Sequence, residues 1–125
     1  MKFHHVGIAC EDINEQIEHI KNMHRNVQVS EVVFDKEQNA HLCMITLDDG
    51  NKLELIAGKV VENLIKKRIS YYHVCYEVSN IEQEIARLTQ LGGILVSEIK
   101  PAILFNYKPV AFMQVSYGLI ELLQS

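Results

Sequence analysis

Apolar residues recur along the chain with two alternating periods, and the alternation predicts the elements. Residues 2–10 (KFHHVGIAC) alternate with period two, so Phe3, His5, Gly7 and Ala9 share one face and His4, Val6, Ile8 and Cys10 the other. The second set is the more apolar and is expected to lie under a helix, which leaves His5 on the opposite face. From Ile13 the period lengthens: Ile13, Ile17, Ile20 and His24 form a helical stripe that Met23 widens. Asp12 is the expected N-cap, with Glu15 three residues on, and Asn26 the expected stop. VQVSEVVFD and AHLCMITL then read as strands about a DKEQN turn. Residues 48–51 make a tight reversal at Gly50, and KLELIAG closes the half as a strand carrying Glu54.

Residues 58–70 are polar and mixed, either a short helix or a loop, and form a connector between modules 1–57 and 71–125. The order then repeats. YYHVCYEV is a strand, and Asn80 or Ser79 caps a helix with an Ile81, Ile85, Leu88 and Leu91 stripe that ends at Gly92-Gly93. ILVSEI is a strand, residues 101–109 a longer loop carrying Phe105 and Tyr107, and PVAFMQV and LIELLQ are the closing strands. Each module is therefore βαβββ.

The two modules also match residue by residue. At an offset of 68, His5 meets His73, Val6 meets Val74, Ile13 meets Ile81, Ile17 meets Ile85 and Ile20 meets Leu88. At an offset of 67, VSEV at 29–32 meets VSEI at 96–99, and LELI at 53–56 meets IELL at 120–123. A single deletion in the turn after the helix accounts for the change. Both histidines and both strand glutamates obey the repeat, which singles out His5, Glu54, His73 and Glu121 from the other candidates. Two imidazoles and two carboxylates on regular structure are a donor set for a divalent metal. An unpaired charge flanked by leucine or isoleucine in a closing strand is costly, and a cation between Glu54 and Glu121 relieves that cost. His19, His24 and His41 lack repeat counterparts and are expected to face solvent.

Composition adds exclusions. With 125 residues the chain is expected to form a single domain with a real core. A net charge of −4 gives no electrostatic footprint for nucleic acid or an anionic membrane. No apolar run approaches the roughly 18 residues that span a bilayer, and the N-terminus lacks the apolar core of a signal peptide, so the cytoplasm is the expected compartment. Cys10, Cys43 and Cys75 form no CxxC pair and read as small packing residues. Cys75 and Glu77 share the face of His73 and are expected to line a cavity. The Lys66-Lys67-Arg68 run is expected to be a solvated part of the connector.

HVGIA, KLELI, YHVCYEV and LIELL, in that order and under that repeat, resemble the vicinal oxygen chelate superfamily over essentially the whole chain. That superfamily includes glyoxalase I (lactoylglutathione lyase), methylmalonyl-CoA epimerase, extradiol dioxygenases, and fosfomycin- and bleomycin-resistance proteins. The resemblance implies an α+β, glyoxalase-like fold in which two tandem βαβββ modules form a curved, mixed-sheet metal-binding cavity. It places the metal ligands on His5, Glu54, His73 and Glu121, with His5 preferred to His4 because it precedes the small Gly7 by two. One divalent ion per site is implied, with Ni, Co or Zn ahead of Mn or Fe. The implied reaction is proton abstraction α to a carbonyl through a metal-stabilised enediolate, on a small thioester or α-keto hemithioacetal. Glu121 is the first choice of base and Glu54 its counterpart. The HVGIA opening is epimerase-like, and Ala9 stands where glyoxalase I tends to carry a glutathione-binding arginine. Glu54, however, is the residue glyoxalase I uses. The alternative is a bleomycin-resistance-type binding protein without catalysis. A homodimer is also implied.

Overall fold

The opening strand β1 (Lys2–Ala9) leads into helix α1 (Ile13–Met23), whose start is fixed as its sequence predicts: the Asp12 carboxylate accepts from the Glu15 N–H at 3.1 Å. Short strands β2 (Gln28–Val29) and β3 (Val33–Asp35) follow, then β4 (Ala40–Thr46) and β5 (Lys52–Gly58). The connector is a 3-10 turn at Lys59–Val61 and helix α2 (Glu62–Lys66). The second series is β6 (Tyr71–Val78), α3 (Ile81–Gln90), β7 (Ile94–Leu95), β8 (Lys100–Ala102), a 3-10 turn at Ile103–Phe105, β9 (Lys108–Val115) and β10 (Gly118–Gln124). The computed structural model describes residues 1–125, which group into two compact units. One is His5–Tyr72; the other is His73–Ser125 with Met1–His4.

Within the first unit the strand order is β2-β4-β5-β1, with β3 also on β4. β5 runs parallel to β1, and the other pairings are antiparallel, so the sheet is mixed. Ile13, Ile17 and Ile20 of α1 pack on Cys43, Ile45, Leu55 and Ala57, with Ile8 and Leu53 alongside. The second unit repeats this as β6-β10-β9-β7, with β8 also on β9. Ile81 and Leu88 of α3 pack on Val78, Ala111, Met113, Ile120 and Leu122. The fold is α+β, and each helix covers one face of its sheet. The opposite face carries His5 and Glu54 in one unit and His73 and Glu121 in the other.

Several details differ from the sequence expectation. Met23 and Leu91 do not bury the ends of their stripes: they are 77% and 74% exposed. α1 ends at Met23, three residues before Asn26, whereas α3 ends at Gln90 with Leu91 as its C-cap, directly before Gly92-Gly93 as expected. VQVSEVVFD is not one strand but the two pieces β2 and β3. Ser30 breaks it: its hydroxyl, not a backbone carbonyl, accepts from the Met44 N–H at 2.8 Å, which ends the ladder there. Ser97 does the same to the Phe112 N–H at 3.1 Å and ends β7. The loop expected at 101–109 contains β8 and a 3-10 turn.

The backbone registers also refine the repeat. β9 pairs with β7 as β4 pairs with β2, but the offset is 68 for β4/β9 and 66 for β2/β7, while the two serines keep 67. The repeat thus contains more than one length change, absorbed in turns. One lies between the closing strands, where Val115 and Gly118 flank a two-residue turn, whereas Thr46 and Lys52 flank five residues ending past Gly50, at φ +88°.

Two predictions follow from these packing features. The Asn80 side chain accepts from the Gln83 N–H at 3.1 Å, as Asp12 does in the first unit. Removing either cap by alanine is expected to lower unfolding free energy by about 1 kcal/mol, measured by denaturant titration. A Cβ on Gly58 would sit 2.6 Å from the Asn39 carbonyl oxygen and 2.8 Å from the Ala40 Cα. Both are backbone atoms of the paired strand region, so Gly58→Ala should destabilise by more than either cap variant. A thermal midpoint equal to wild type would contradict this packing.

Candidate functional site

The site residues arise from one local arrangement used twice. In the first unit β5 lies parallel to β1 with Gly7 opposite Glu54. His5 precedes Gly7 by two and therefore lies on the same face, diagonal to the glutamate. Its Nε2 comes 3.3 Å from Glu54 Oε1. In the second unit Cys75 lies opposite Glu121, His73 precedes it by two, and His73 Nε2 again lies 3.3 Å from Glu121 Oε1. A small residue opposite each carboxylate leaves room for the diagonal contact.

All four side chains are buried: His5 is 0% exposed, Glu54 and Glu121 3%, and His73 4%. Burial of carboxylates among apolar strand residues disfavours an isolated negative charge. The adjacent imidazole answers part of that demand, and each His/Glu pair is of metal-ligating type. The donor set of nitrogen and carboxylate oxygen fits a borderline divalent cation, so the residues present suit the expected group.

His4 takes a different path from His5. Its ring meets Phe105 edge-on, with centroids 5.5 Å apart, and it is half-buried. Phe105 itself packs on a small core of Cys75, Ala102, Val110 and Leu123. It is therefore a packing residue, and Cys75 shares that apolar surrounding. Tyr107, its companion in the sequence expectation, is 66% exposed. Burial pushes the Cys10 thiol up to about 11, and Cys43 is also raised by burial. Both belong to the core under α1, which fits packing rather than nucleophilic use. His19 and His41 face solvent as expected, whereas His24 caps α1 and is half-buried. Lys66, Lys67 and Arg68 are exposed.

The residue that sequence reasoning missed is Phe112. It lies directly opposite Glu121 across the β9–β10 pair, and its ring meets the His73 ring at 5.2 Å with an interplanar angle of 81°. The signal was present: a two-residue turn at 116–117 fixes the register that brings 112 opposite 121.

Comparison with known proteins places this geometry in context. No protein of curated function matches the chain. Among solved structures, methylmalonyl-CoA epimerase from Mycobacterium tuberculosis superposes with a TM-score of 0.84 at 21% identity, covering 98% of this chain and 87% of that one. A hypothetical protein from Bacillus halodurans gives 0.80 at 20% identity, covering 99% and 94%. A methylmalonyl-CoA epimerase variant from Streptomyces coelicolor, in complex with 2-nitronate-propionyl-CoA, gives 0.80 at 19% identity, covering 100% and 97%. At these identities the likeness is one of fold. The family model of the glyoxalase/bleomycin resistance protein/dioxygenase superfamily matches residues 4–112. With that match spanning most of the sequence, the chain belongs to the glyoxalase/bleomycin resistance protein/dioxygenase superfamily, the vicinal oxygen chelate proteins.

Proposed function

We propose that the protein is a divalent-metal-dependent enzyme that moves a proton α to a carbonyl, in the manner of a methylmalonyl-CoA epimerase or glyoxalase I. The metal ligands assigned are His5 and Glu54 of the first unit and His73 and Glu121 of the second. The observation that carries this reading is the duplicated pair: the same His Nε2 to Glu Oε1 separation of 3.3 Å in both units, on buried side chains. A core with no use for charge would not keep two buried carboxylates beside two buried imidazoles, because apolar residues of similar volume are often at least as stabilising.

When bound, a divalent ion, with Ni, Co or Zn ahead of Mn or Fe, supplies Lewis acidity to the substrate carbonyl and so acidifies the adjacent C–H. Glu121 is assigned as base: its carboxylate takes the α proton and returns it. Reprotonation of the same carbon from its other face gives the epimer; reprotonation of the neighbouring carbon gives the glyoxalase product. Glu54 is the counterpart that fills the equivalent position. His5 and His73 contribute imidazole nitrogen donors. The substrate class favoured is a small acyl-CoA thioester. A Streptomyces coelicolor epimerase of this fold holds 2-nitronate-propionyl-CoA, and another structure holds methylmalonyl-CoA with NH4+. Ala9, buried at 3% exposure, offers no cation where a glutathione carboxylate is held in glyoxalase I.

Protein purified without added metal is expected to contain a divalent ion by elemental analysis, and to regain thermal stability on its return after chelation. Absence of metal together with no thermal response would favour a metal-free binding protein instead. Glu121→Gln should lower turnover by about a hundredfold or more while the metal content stays near wild type. An active Gln variant removes Glu121 as the base. Deuterium incorporation from solvent into methylmalonyl-CoA, set against turnover of the methylglyoxal–glutathione hemithioacetal, separates the two activities.

A further inference from the structure

We infer that Phe112 is a positioning residue, whose ring holds the His73 imidazole with Nε2 towards Glu121 and so strengthens metal binding by the second His/Glu pair. This rests on the reading of His73 and Glu121 as metal ligands. The centroid separation of 5.2 Å and the near-perpendicular planes at 81° are the edge-to-face geometry that aromatic quadrupoles favour. Phe112 is also the residue directly opposite Glu121, so one side chain on β9 neighbours both members of the pair.

Its backbone is clamped. The Phe112 N–H donates to Ser97 Oγ at 3.1 Å, and its carbonyl accepts from the Val96 N–H at 2.8 Å. The first unit repeats the clamp on Met44, opposite Glu54: the Met44 N–H donates to Ser30 Oγ at 2.8 Å, and its carbonyl accepts from the Ser30 N–H at 2.9 Å. The scaffold is duplicated, but the side chain it presents is not. Met44 is a flexible thioether where Phe112 is a rigid ring. A ligand imidazole held by an outer partner loses less orientational freedom when the ion arrives, and such partners tune affinity.

The experiment is a Co2+ titration of the full chain, run with Phe112→Met, which copies the first unit, and with Phe112→Leu, Phe112→Tyr and Met44→Leu. Phe112→Met and Phe112→Leu are expected to weaken Co2+ binding by about three- to tenfold, in proportion to the loss of one aromatic pair. Phe112→Tyr, which keeps the ring, should restore wild-type affinity, and Met44→Leu should leave it unchanged. In the metal-free protein, the His73 ring-proton resonances should shift in the Met and Leu variants through loss of the Phe112 ring current, while circular dichroism stays the same. If either variant fails to fold, the other and the Tyr variant still decide. Unchanged Co2+ affinity in the folded variant, or equal weakening in Phe112→Tyr, overturns the positioning role. Wild-type protein that binds no Co2+ overturns the metal reading itself, and this role with it.

Discussion

Everything else in each unit depends on one pairing, the parallel contact between an opening strand and a closing strand. Parallel register sets Gly7 beside Glu54 and Cys75 beside Glu121. Strand alternation then puts the histidine two residues earlier on the same face. A one-residue slip of either ladder would turn the glutamate into the helix-side core, among Leu55 or Leu122, and the pair would be lost. The helices enforce this register, because their isoleucine and leucine stripes need the alternate apolar residues of those same strands. The burial of the polar pair and the packing of the helix are thus two sides of one constraint. Neither can change without the other.

That coupling explains why a costly feature persists in a small core. A carboxylate taken from water needs a partner, and the imidazole supplies a nearby donor but no guaranteed positive charge. The apolar face under each helix supplies the burial that holds the pair in place. The same strands that stabilise the unit therefore present imidazole and carboxylate atoms with little freedom to relax, as the proposed metal site requires. Duplication provides the second pair with the same spacing. It does not provide identical neighbours, since Met44 and Phe112 occupy matching clamps.

Much of this was legible in the sequence because it depends on short-range periodicity. Period two in HHVGIA and YYHVCYEV set the faces of His5 and His73, and Asp12 and Asn80 marked helix starts through an interaction confined to three residues. Burial at the helix ends was less legible. Met23 and Leu91 keep the apolar spacing, yet they are mostly exposed, and periodicity alone does not reveal where a sheet stops. The broken strand at 28–35 was hidden for another reason. Valines on both sides of Ser30 favour extension, but whether a serine points out or takes over a ladder bond depends on the strand beside it.

The repeat carries the same lesson to the site. Sequence matching equates Ser30 with Ser97 and Glu54 with Glu121, and both equivalences survive as hydrogen bonds and contacts. The backbone registers between them do not keep one offset, because turns of different length intervene. What the duplication has preserved is therefore the side-chain contact and not the residue count. Turns can lose or gain residues at little cost, since loop closure depends only weakly on length. A His/Glu diagonal tolerates no such change, because one residue reverses the face. The constraint on the chain is strongest where the two pairs sit, and it relaxes with each turn away from them.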